Sequence, residues 1–242
     1  MSLSFPYCIY PLGDSALTLD FGNKMDEAVN KEVLALFHNL KKLQLPEIID
    51  IIPAYSSLSI LYNVPSLKKI IPGKITVYEW MKGRLEDFLI TTIVTDTETS
   101  RLISIPACYD NEFGKDLDFI SGLKNISRED IIRLHTGKKY RVFMLGFLPG
   151  FPYLGFTDNQ IAVPRKEQPE LVLTGSVGIA GRQTGIYPMA SPGGWQIIGR
   201  TALRLFEPDK VDVTLLKPGD IVEFYSISKE EYKEQLHEFE NY

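Results

Sequence analysis

The hydrophobic residues in the first half of the chain follow two patterns, one alternating and one recurring every three to four positions. Residues 8–21 form two short apolar runs on either side of a Gly13-Asp14 turn and predict a pair of strands. A helix is predicted next, with Asp26 as its N-cap and Pro46 beyond its end. Its apolar stripe consists of Val29, Val33, Leu36, Phe37, Leu40 and Leu43.

Two more β-rich runs and a second helix complete this half of the chain. Residues 47–63 predict two strands interrupted at Pro53, and residues 75–93 predict a helix. These elements predict a small α+β domain over residues 1–95, with two helices on one face of a mostly antiparallel sheet. The polar residues 95–100 (TDTETS) predict a linker. The expected buried side of the second helix carries Trp80, Leu85, Phe88 and Leu89.

From residue 101 onward the pattern is mainly that of strands. Residues 101–107 predict a strand, and the capping pattern of Ser127 and Asp130 predicts a helix after it. A terminal helix is predicted over residues 229–240. The succession of strands predicts a closed barrel or a sandwich over residues 101–242. The other strand candidates, separated by Gly/Pro turns, are residues 139–147, 171–177, 185–189, 195–206 and 221–227.

Composition and charge restrict the classes of partner. The chain has 242 residues, of which 44% are hydrophobic and 11% aromatic, as in ordinary globular proteins. Its formal net charge of -5 repels phosphate backbones, so we expect no nucleic-acid partner. The N-terminus lacks the basic start and apolar run of a signal peptide, and no apolar stretch approaches the ~20 residues that span a bilayer. Two cysteines, Cys8 and Cys108, suit a reducing compartment. We therefore expect a cytoplasmic protein without membrane association.

Several common chemistries find no support in the sequence. The three histidines are widely separated and have no neighbouring residues at metal-ligand spacing, so we expect no metal site. Neither a dinucleotide-binding fingerprint nor a phosphate-binding loop is present, so we expect no cofactor to be bound by this chain alone. Cys108 activated by His135 is a candidate nucleophile, but nothing in the sequence places the two together, and a core role for Cys108 is favoured.

Residues 146–199 combine irregular backbone with large aromatic faces and arginines. Ten of the 18 glycines and six of the 15 prolines fall in this stretch, a concentration that predicts rigid, irregular loops. Aromatic residues taken singly are more often core residues, but together on such loops they favour a small-molecule pocket. Arginines present planar forks that bind carboxylates bidentately, and Gln183 can bind an amide. The candidate residues are Phe147, Phe151, Tyr153, Arg165, Arg182, Gln183, Tyr187, Trp195 and Arg200.

The same stretch resembles a known family. The runs YRVFMLGFLPGFPYLGF (140–156), VPR (163–165), GSVGIAGRQTGIYPMASPGGWQIIGRT (175–201) and LRLFEP (203–208) are similar to the KipI family, also called allophanate hydrolase subunit 1 and the B subunit of 5-oxoprolinase (PxpB). The resemblance extends to PAYSSLSILYN, IPACYDNEFGKDLDFI and RLHTGKKYRV, and so spans most of the chain.

The resemblance implies an α+β N-terminal domain followed by a mainly β, cyclophilin-like barrel domain. It also implies one subunit of an ATP-dependent amidohydrolase that opens 5-oxo-L-proline to L-glutamate. The implied partners are the homologous C subunit, which is similar to KipA and allophanate hydrolase subunit 2, and the A subunit; ATP is expected in the assembled complex. The cyclophilin-like shape does not imply prolyl isomerase activity, because function resides in the site.

The resemblance also suggests site residues. Arg165 follows the family's proline-arginine step, whereas Arg182 stands where relatives commonly have asparagine. We expect Arg165 to bind a substrate carboxylate and the backbone N–H groups near Gly193 and Gly194 to stabilise charge on a lactam oxygen. No catalytic residue is assigned. The expected substrate-binding residues are Arg165, Arg182, Gln183, Tyr187, Gly193, Gly194 and Trp195, and the expected pocket-lining residues are Phe147, Pro149, Phe151, Tyr153 and His135.

Two alternative functions stay open at this point. The first is a KipI-type inhibitor that binds a sensor histidine kinase, with Phe147, Phe151 and Tyr153 as apolar anchors. The second is a carboxyltransferase-like component of a urea carboxylase or allophanate system, which would need a separate biotin carrier.

Overall fold

The computed structural model describes residues 3–91 and 100–240. The chain divides into two compact units, Met1–Thr99 and Ser100–Tyr242. The predicted linker, apart from Ser100, lies outside the described residues.

The described part of the first unit contains four strands and three helices. The strands form one antiparallel sheet in the order β1-β2-β4-β3. The predicted cap of the first long helix is confirmed, because the carboxylate of Asp26 accepts hydrogen bonds from the N–H groups of Ala28 and Val29 at 2.8 and 3.0 Å. The elements are β1 (Cys8–Pro11), β2 (Ala16–Asp20), α1 (Glu27–Lys42), β3 (Ile48–Pro53), β4 (Ser57–Tyr62), α2 (Val64–Leu67) and α3 (Val77–Thr91).

The core of this unit lies between the sheet and the two long helices. The central strands β2 and β4 supply Leu17, Leu19, Leu58 and Ile60, all at most 1% exposed. The predicted second helix is confirmed as α3, but its buried side differs from the expectation. Its fully buried residues are Met81, Leu85 and Leu89, which recur every four positions, whereas Trp80 and Phe88 are only partly buried.

The second unit is built on a closed barrel, so the barrel alternative of the sequence analysis is confirmed. Seven strands close in the order β10-β7-β6-β13-β5-β12-β9, and β8 and β11 form a separate two-stranded sheet. The described elements are β5 (Leu102–Cys108), α4 (Leu117–Lys124), α5 (Arg128–Thr136), β6 (Lys139–Leu145), β7 (Pro152–Gly155), β8 (Glu170–Val172), β9 (Ser176–Ala180), β10 (Gln183–Ile186), β11 (Ser191–Gly193), β12 (Gln196–Arg200), β13 (Ile221–Ile227) and α6 (Lys229–Glu240).

Two predicted strands are shorter than the hydrophobic pattern indicates. Residues 171–177 are divided between β8 and β9 at Gly175, which has a φ of +79° and lies so close to the Thr201 carbonyl that an added Cβ would overlap it. The run predicted over residues 195–206 is a strand only as far as Arg200. The apolar residues beyond it, such as Leu205, instead pack into the barrel core.

The two predicted helices of this unit, α5 and α6, begin where the sequence predicts, whereas α4 was not predicted from the pattern. The Ser127 hydroxyl accepts the N–H of Asp130 at 3.0 Å at the start of α5. Ser228 and Glu231 form a reciprocal capping box before α6, with distances of 3.1 and 2.7 Å. Across residues 3–91 and 100–240, no helix has the length and apolar character needed to cross a bilayer.

Candidate small-molecule cleft beside the barrel

A cleft of about 280 Å³ lies where the loop after β7 faces the segment from β11 to β12. It brings together seven of the predicted site residues, which are Phe147, Tyr153, Arg165, Tyr187, Gly193, Gly194 and Trp195. Four lining residues were not predicted, and these are Lys166, Glu167, Pro169 and Pro192.

Phe151 supports the aromatic wall of the cleft from below. It is 1% exposed, and its ring meets those of Tyr153, Tyr187 and Trp195 edge-on, with centroids 5.0, 5.1 and 5.4 Å apart. Gly185 allows this packing, since a Cβ there would lie 2.9 Å from Phe151 and 3.0 Å from Trp195. Phe151 therefore shapes the cleft without lining it.

Arg165 lies at the cleft surface above Trp195. Its guanidinium carbon is 5.9 Å from the indole centroid, within cation–π range, and its side chain is exposed. In the described part of the chain no ion pair holds Arg165. Its positive charge is therefore available to an anionic ligand.

Hydrogen bonds on both sides of Arg165 fix the backbone that carries it. The Gln196 side-chain amide donates to the Pro164 carbonyl at 3.2 Å, and the Lys166 N–H donates to the Gly194 carbonyl at 2.7 Å. The loop is thus bonded to the same segment that carries Trp195.

Lys166 is held by two carboxylates. Its ammonium lies 2.9 Å from Asp116 and 2.9 Å from Glu170, and only 14% of the Lys166 side chain is exposed. Burial lowers the pKa of Lys166, but the hydrogen bonds with Glu170 and Asp116 outweigh this, so its pKa lies above the usual value. Sequence reasoning missed Lys166, although it directly follows the predicted Arg165.

The two tyrosines of the cleft are neutral phenols. Burial raises the pKa of Tyr153, and the positive charge of Arg165 offsets only part of this rise. Burial also raises the pKa of Tyr187, and a hydrogen bond with the Trp195 backbone, followed by the charge of Arg165, offsets only part of it. At neutral pH both hydroxyls keep their protons and can donate hydrogen bonds to a ligand.

Gly193 is required by the position of Tyr187. A Cβ at Gly193 would overlap the Tyr187 hydroxyl and lie 2.7 Å from the ring, whereas a Cβ at Gly194 would meet nothing closer than 3.5 Å. We therefore expect Gly193→Ala to lower the free energy of unfolding by about 1–3 kcal/mol, because the buried tyrosine must shift. Urea denaturation measures this change, with Gly194→Ala as the matched control. Equal stability of the two variants would contradict the close packing.

Four other predicted arginine, glutamine and proline positions lie apart from the residues that line this cleft. The Arg182 guanidinium is 5.1 Å from the Phe156 ring centroid, and Arg200 donates to the Thr174 carbonyl at 2.7 Å. Gln183 belongs to β10, two positions before Gly185, which pairs with Tyr153. Pro149 is exposed, and neither it nor these three residues line the cleft.

The expectation that His135 lines the pocket is corrected by its position in the barrel core. His135 is 0% exposed, and its Nδ1 lies 2.8 Å from the Tyr109 hydroxyl while its Nε2 lies 2.9 Å from the Thr184 hydroxyl. Burial lowers the pKa of His135 to about 3, so the imidazole is neutral. Because both ring nitrogens are bonded in this way, His135 does not activate Cys108, whose thiol pKa is raised by burial.

In the chain as described, no three His, Cys, Asp or Glu side chains are placed to hold a metal ion. The cleft offers instead an exposed guanidinium, neutral hydroxyls and a backbone that an added side chain would obstruct. Such a site can bind a small anion that also presents hydrogen-bonding groups.

Residues 7–216 match the family model described as the carboxyltransferase domain, subdomain C and D. The chain belongs to this family. Among curated members, the B subunit of 5-oxoprolinase from Bacillus subtilis (strain 168) is 44% identical over 229 residues, which cover 93% of this chain and 95% of that protein. The B subunit of 5-oxoprolinase from Escherichia coli O157:H7 is 35% identical over 89% of this chain and 94% of that protein.

These relatives confirm the predicted membership of the family that includes the B subunit of 5-oxoprolinase. The fold of this chain is also similar to part of a solved structure, that of the protein TTHA0988, with a TM-score of 0.76 and 34% identity. The match covers 88% of this chain but only 40% of TTHA0988. The family fold therefore also occurs within a longer polypeptide.

Proposed function

We propose that this chain is the B subunit of a multi-subunit, ATP-dependent 5-oxoprolinase. The observation that supports this most strongly is the near full-length similarity to a protein of that name, at 44% identity over 93% of the chain. In the proposed reaction, water adds to the lactam carbonyl of 5-oxo-L-proline and the ring C–N bond breaks. The ring nitrogen takes a proton and becomes the amine of L-glutamate, while ATP hydrolysis drives the reaction.

The cleft has the groups that such a substrate needs. A carboxylate on a five-membered ring pairs with the guanidinium of Arg165, while the ring packs against the aromatic wall. Backbone N–H groups near Gly193 and Gly194 stabilise the negative charge that develops on the lactam oxygen. Tyr153 and Tyr187 supply neutral donors beside it.

The working enzyme in this proposal contains further chains. The partner A and C subunits contribute the ATP contacts, since this sequence has no phosphate-binding loop. The longer chain of TTHA0988 is consistent with a fold that works beside another polypeptide region. We also propose that the assembly is cytoplasmic, with an α+β domain at residues 1–95 and a cyclophilin-like barrel domain at residues 101–242.

A second candidate is a carboxyltransferase-like component of a urea carboxylase system, which the name of the family model favours. The curated relatives that match nearly the whole chain are 5-oxoprolinase subunits, so the first candidate has the stronger support.

Co-expression with the candidate A and C subunits tests the proposal. We expect a stable complex whose ATP hydrolysis requires 5-oxoproline and forms one glutamate for each ADP. L-Proline is the matched control compound, since it keeps the ring and the carboxylate but lacks the lactam carbonyl. ATP hydrolysis that responds to urea and not to 5-oxoproline would favour the second candidate, and failure to assemble would contradict the first.

A further inference from the structure

The Lys166–Asp116 ion pair is more buried than the other lysine ion pairs found within residues 3–91 and 100–240. Both Lys166 and Asp116 have side chains that are 14% exposed, whereas the partners in the Lys82–Glu86 pair are 40% and 46% exposed. Removing an ammonium and a carboxylate from water is costly, and surface pairs add little stability. A pair this buried beside a cleft therefore has a local structural role.

The Lys166 ammonium connects three segments around the cleft. Asp116 precedes α4, and its carboxylate also accepts the N–H of Ile197 at 2.6 Å, while its own N–H donates to the Ile197 carbonyl at 2.9 Å. Glu170 begins β8, which pairs with β11. The side chain of Lys166 thus ties its own loop to α4, to the start of β12 and to the β8–β11 ribbon.

Arg165 directly precedes Lys166 in the loop to which the bridge belongs. It lies between Pro164 and Lys166, whose backbone groups are hydrogen-bonded to Gln196 and Gly194, and its guanidinium stands over Trp195. A long, exposed arginine side chain has several rotatable bonds. Its affinity for an anion therefore depends on how rigidly the backbone holds the Cα from which the side chain extends.

We propose that Lys166 is a positioning residue, whose bridge between Asp116 and Glu170 holds the Arg165 guanidinium over Trp195 and thereby sets the affinity of the cleft for an anionic substrate. The identity of that substrate, 5-oxoproline, rests on the proposed function. The geometric part of the proposal does not.

Steady-state kinetics of the reconstituted complex test the effect on affinity. We expect Lys166→Met to raise KM for 5-oxoproline about tenfold while kcat changes less than about threefold, because a displaced Arg165 weakens substrate and transition state alike. Lys166→Arg keeps the charge and is expected to recover part of the affinity. Lys115→Met is the matched control, since Lys115 is 47% exposed and lies 3.7 Å from Glu170 without reaching Asp116 among the described contacts.

The fluorescence of Trp195 tests the geometry without any substrate. Trp80→Phe leaves Trp195 as the one tryptophan of the chain, which has two. In this background we expect Lys166→Met to increase acrylamide quenching about twofold, and Arg165→Ala to do the same. If Lys166 acts through Arg165, adding Lys166→Met to Arg165→Ala brings no further increase.

Each outcome bears on one of the two proposals. A wild-type complex without 5-oxoproline-dependent turnover contradicts the proposed function, and the quenching experiment still decides the position of Arg165. Unchanged KM, unchanged quenching, or additive quenching in the double variant overturns the positioning role. If Lys166→Met does not fold, Glu170→Gln removes one of the two ion pairs of Lys166 instead. The proposal then requires a smaller rise in KM and a smaller increase in acrylamide quenching.

Discussion

Arg165→Ala is expected to lower kcat/KM for 5-oxoproline-dependent ATP hydrolysis by at least about 100-fold, which corresponds to about 2.7 kcal/mol of transition-state stabilisation. The guanidinium of Arg165 stands exposed over Trp195, and within the described residues no carboxylate neutralises it. A carboxylate bound there forms charge-assisted, bidentate hydrogen bonds, and losing them misplaces the lactam as well as weakening its binding. Turnover of the reconstituted complex measures the effect.

Two further variants separate the effect of the planar guanidinium from the effects of its charge and of folding. Arg165→Lys keeps the charge but loses the planar pair of donors, so we expect an activity between those of wild type and Arg165→Ala. Arg133→Ala is the matched control, because Arg133 pairs with Asp130 on α5 and its side chain is 70% exposed. Full activity of a folded Arg165→Ala complex would remove Arg165 from the site.

The sequence predicts the cleft well where its glycines and prolines determine the backbone conformation. Glycines and prolines between residues 146 and 199 predict irregular loops, and Arg165 and Trp195 stand within them. Gly193 shows why this reasoning works. The Tyr187 ring approaches its main chain so closely that a Cβ would overlap it, and this need is visible in the sequence as a glycine beside aromatic residues.

The same reasoning fails where tertiary contacts decide the position of a side chain. Arg182 and Gln183 stand close in sequence to Tyr187, but the hairpin that joins β9 to β10 places the Arg182 guanidinium over Phe156, away from the cleft-lining residues. Lys166, by contrast, lines the cleft although the sequence analysis did not predict it. Its partner Asp116 precedes α4, and no local pattern indicates that the two meet.

His135 is a further case of this kind, and it has a measurable consequence. The helical pattern places it near the end of α5, where an exposed or cleft-facing position is equally consistent with the sequence. In the structure it is enclosed by Tyr109, Tyr140 and Phe224, with ring centroids 5.9, 5.4 and 4.5 Å from its own. This environment is set by Tyr109, which directly follows β5, and by residues of β6 and β13, which sequence spacing does not bring together.

The hydrogen bonds of His135 define one tautomer. The Thr184 hydroxyl donates its proton to the Gly178 carbonyl at 3.0 Å, so it can only accept from His135 Nε2–H. Nδ1 of the neutral ring therefore carries no proton and accepts a hydrogen bond from the Tyr109 hydroxyl. A second proton on the ring would have to displace this bond inside the core, which is consistent with the strongly lowered pKa of His135.

The free energy of unfolding of the barrel unit is therefore expected to fall as the pH is lowered from 6.5 toward 3. The unfolded chain gains a proton on His135 below its ordinary pKa of 6.5, whereas the folded chain does not until about pH 3. Between these values the unfolded state binds more protons, and stability decreases with a slope that approaches about 1.4 kcal/mol per pH unit well below pH 6.5. Urea denaturation followed by Trp195 fluorescence in the Trp80→Phe protein, between pH 6.5 and 5, measures the slope above the range in which most carboxylates titrate.

Two substitutions at this position separate titration from packing. His135→Gln can accept from Tyr109 and donate to Thr184 without titrating, so we expect it to remove most of the slope between pH 6.5 and 5. His135→Leu also removes the slope, but it leaves the Tyr109 hydroxyl buried without its partner and costs about 1–3 kcal/mol at neutral pH. His237→Gln, on the exposed side of α6, is the matched control for replacing a histidine. If the pH dependence of stability persists in His135→Gln, another group takes up the extra proton on unfolding. The neutral state of His135 would then not explain the loss of stability in acid.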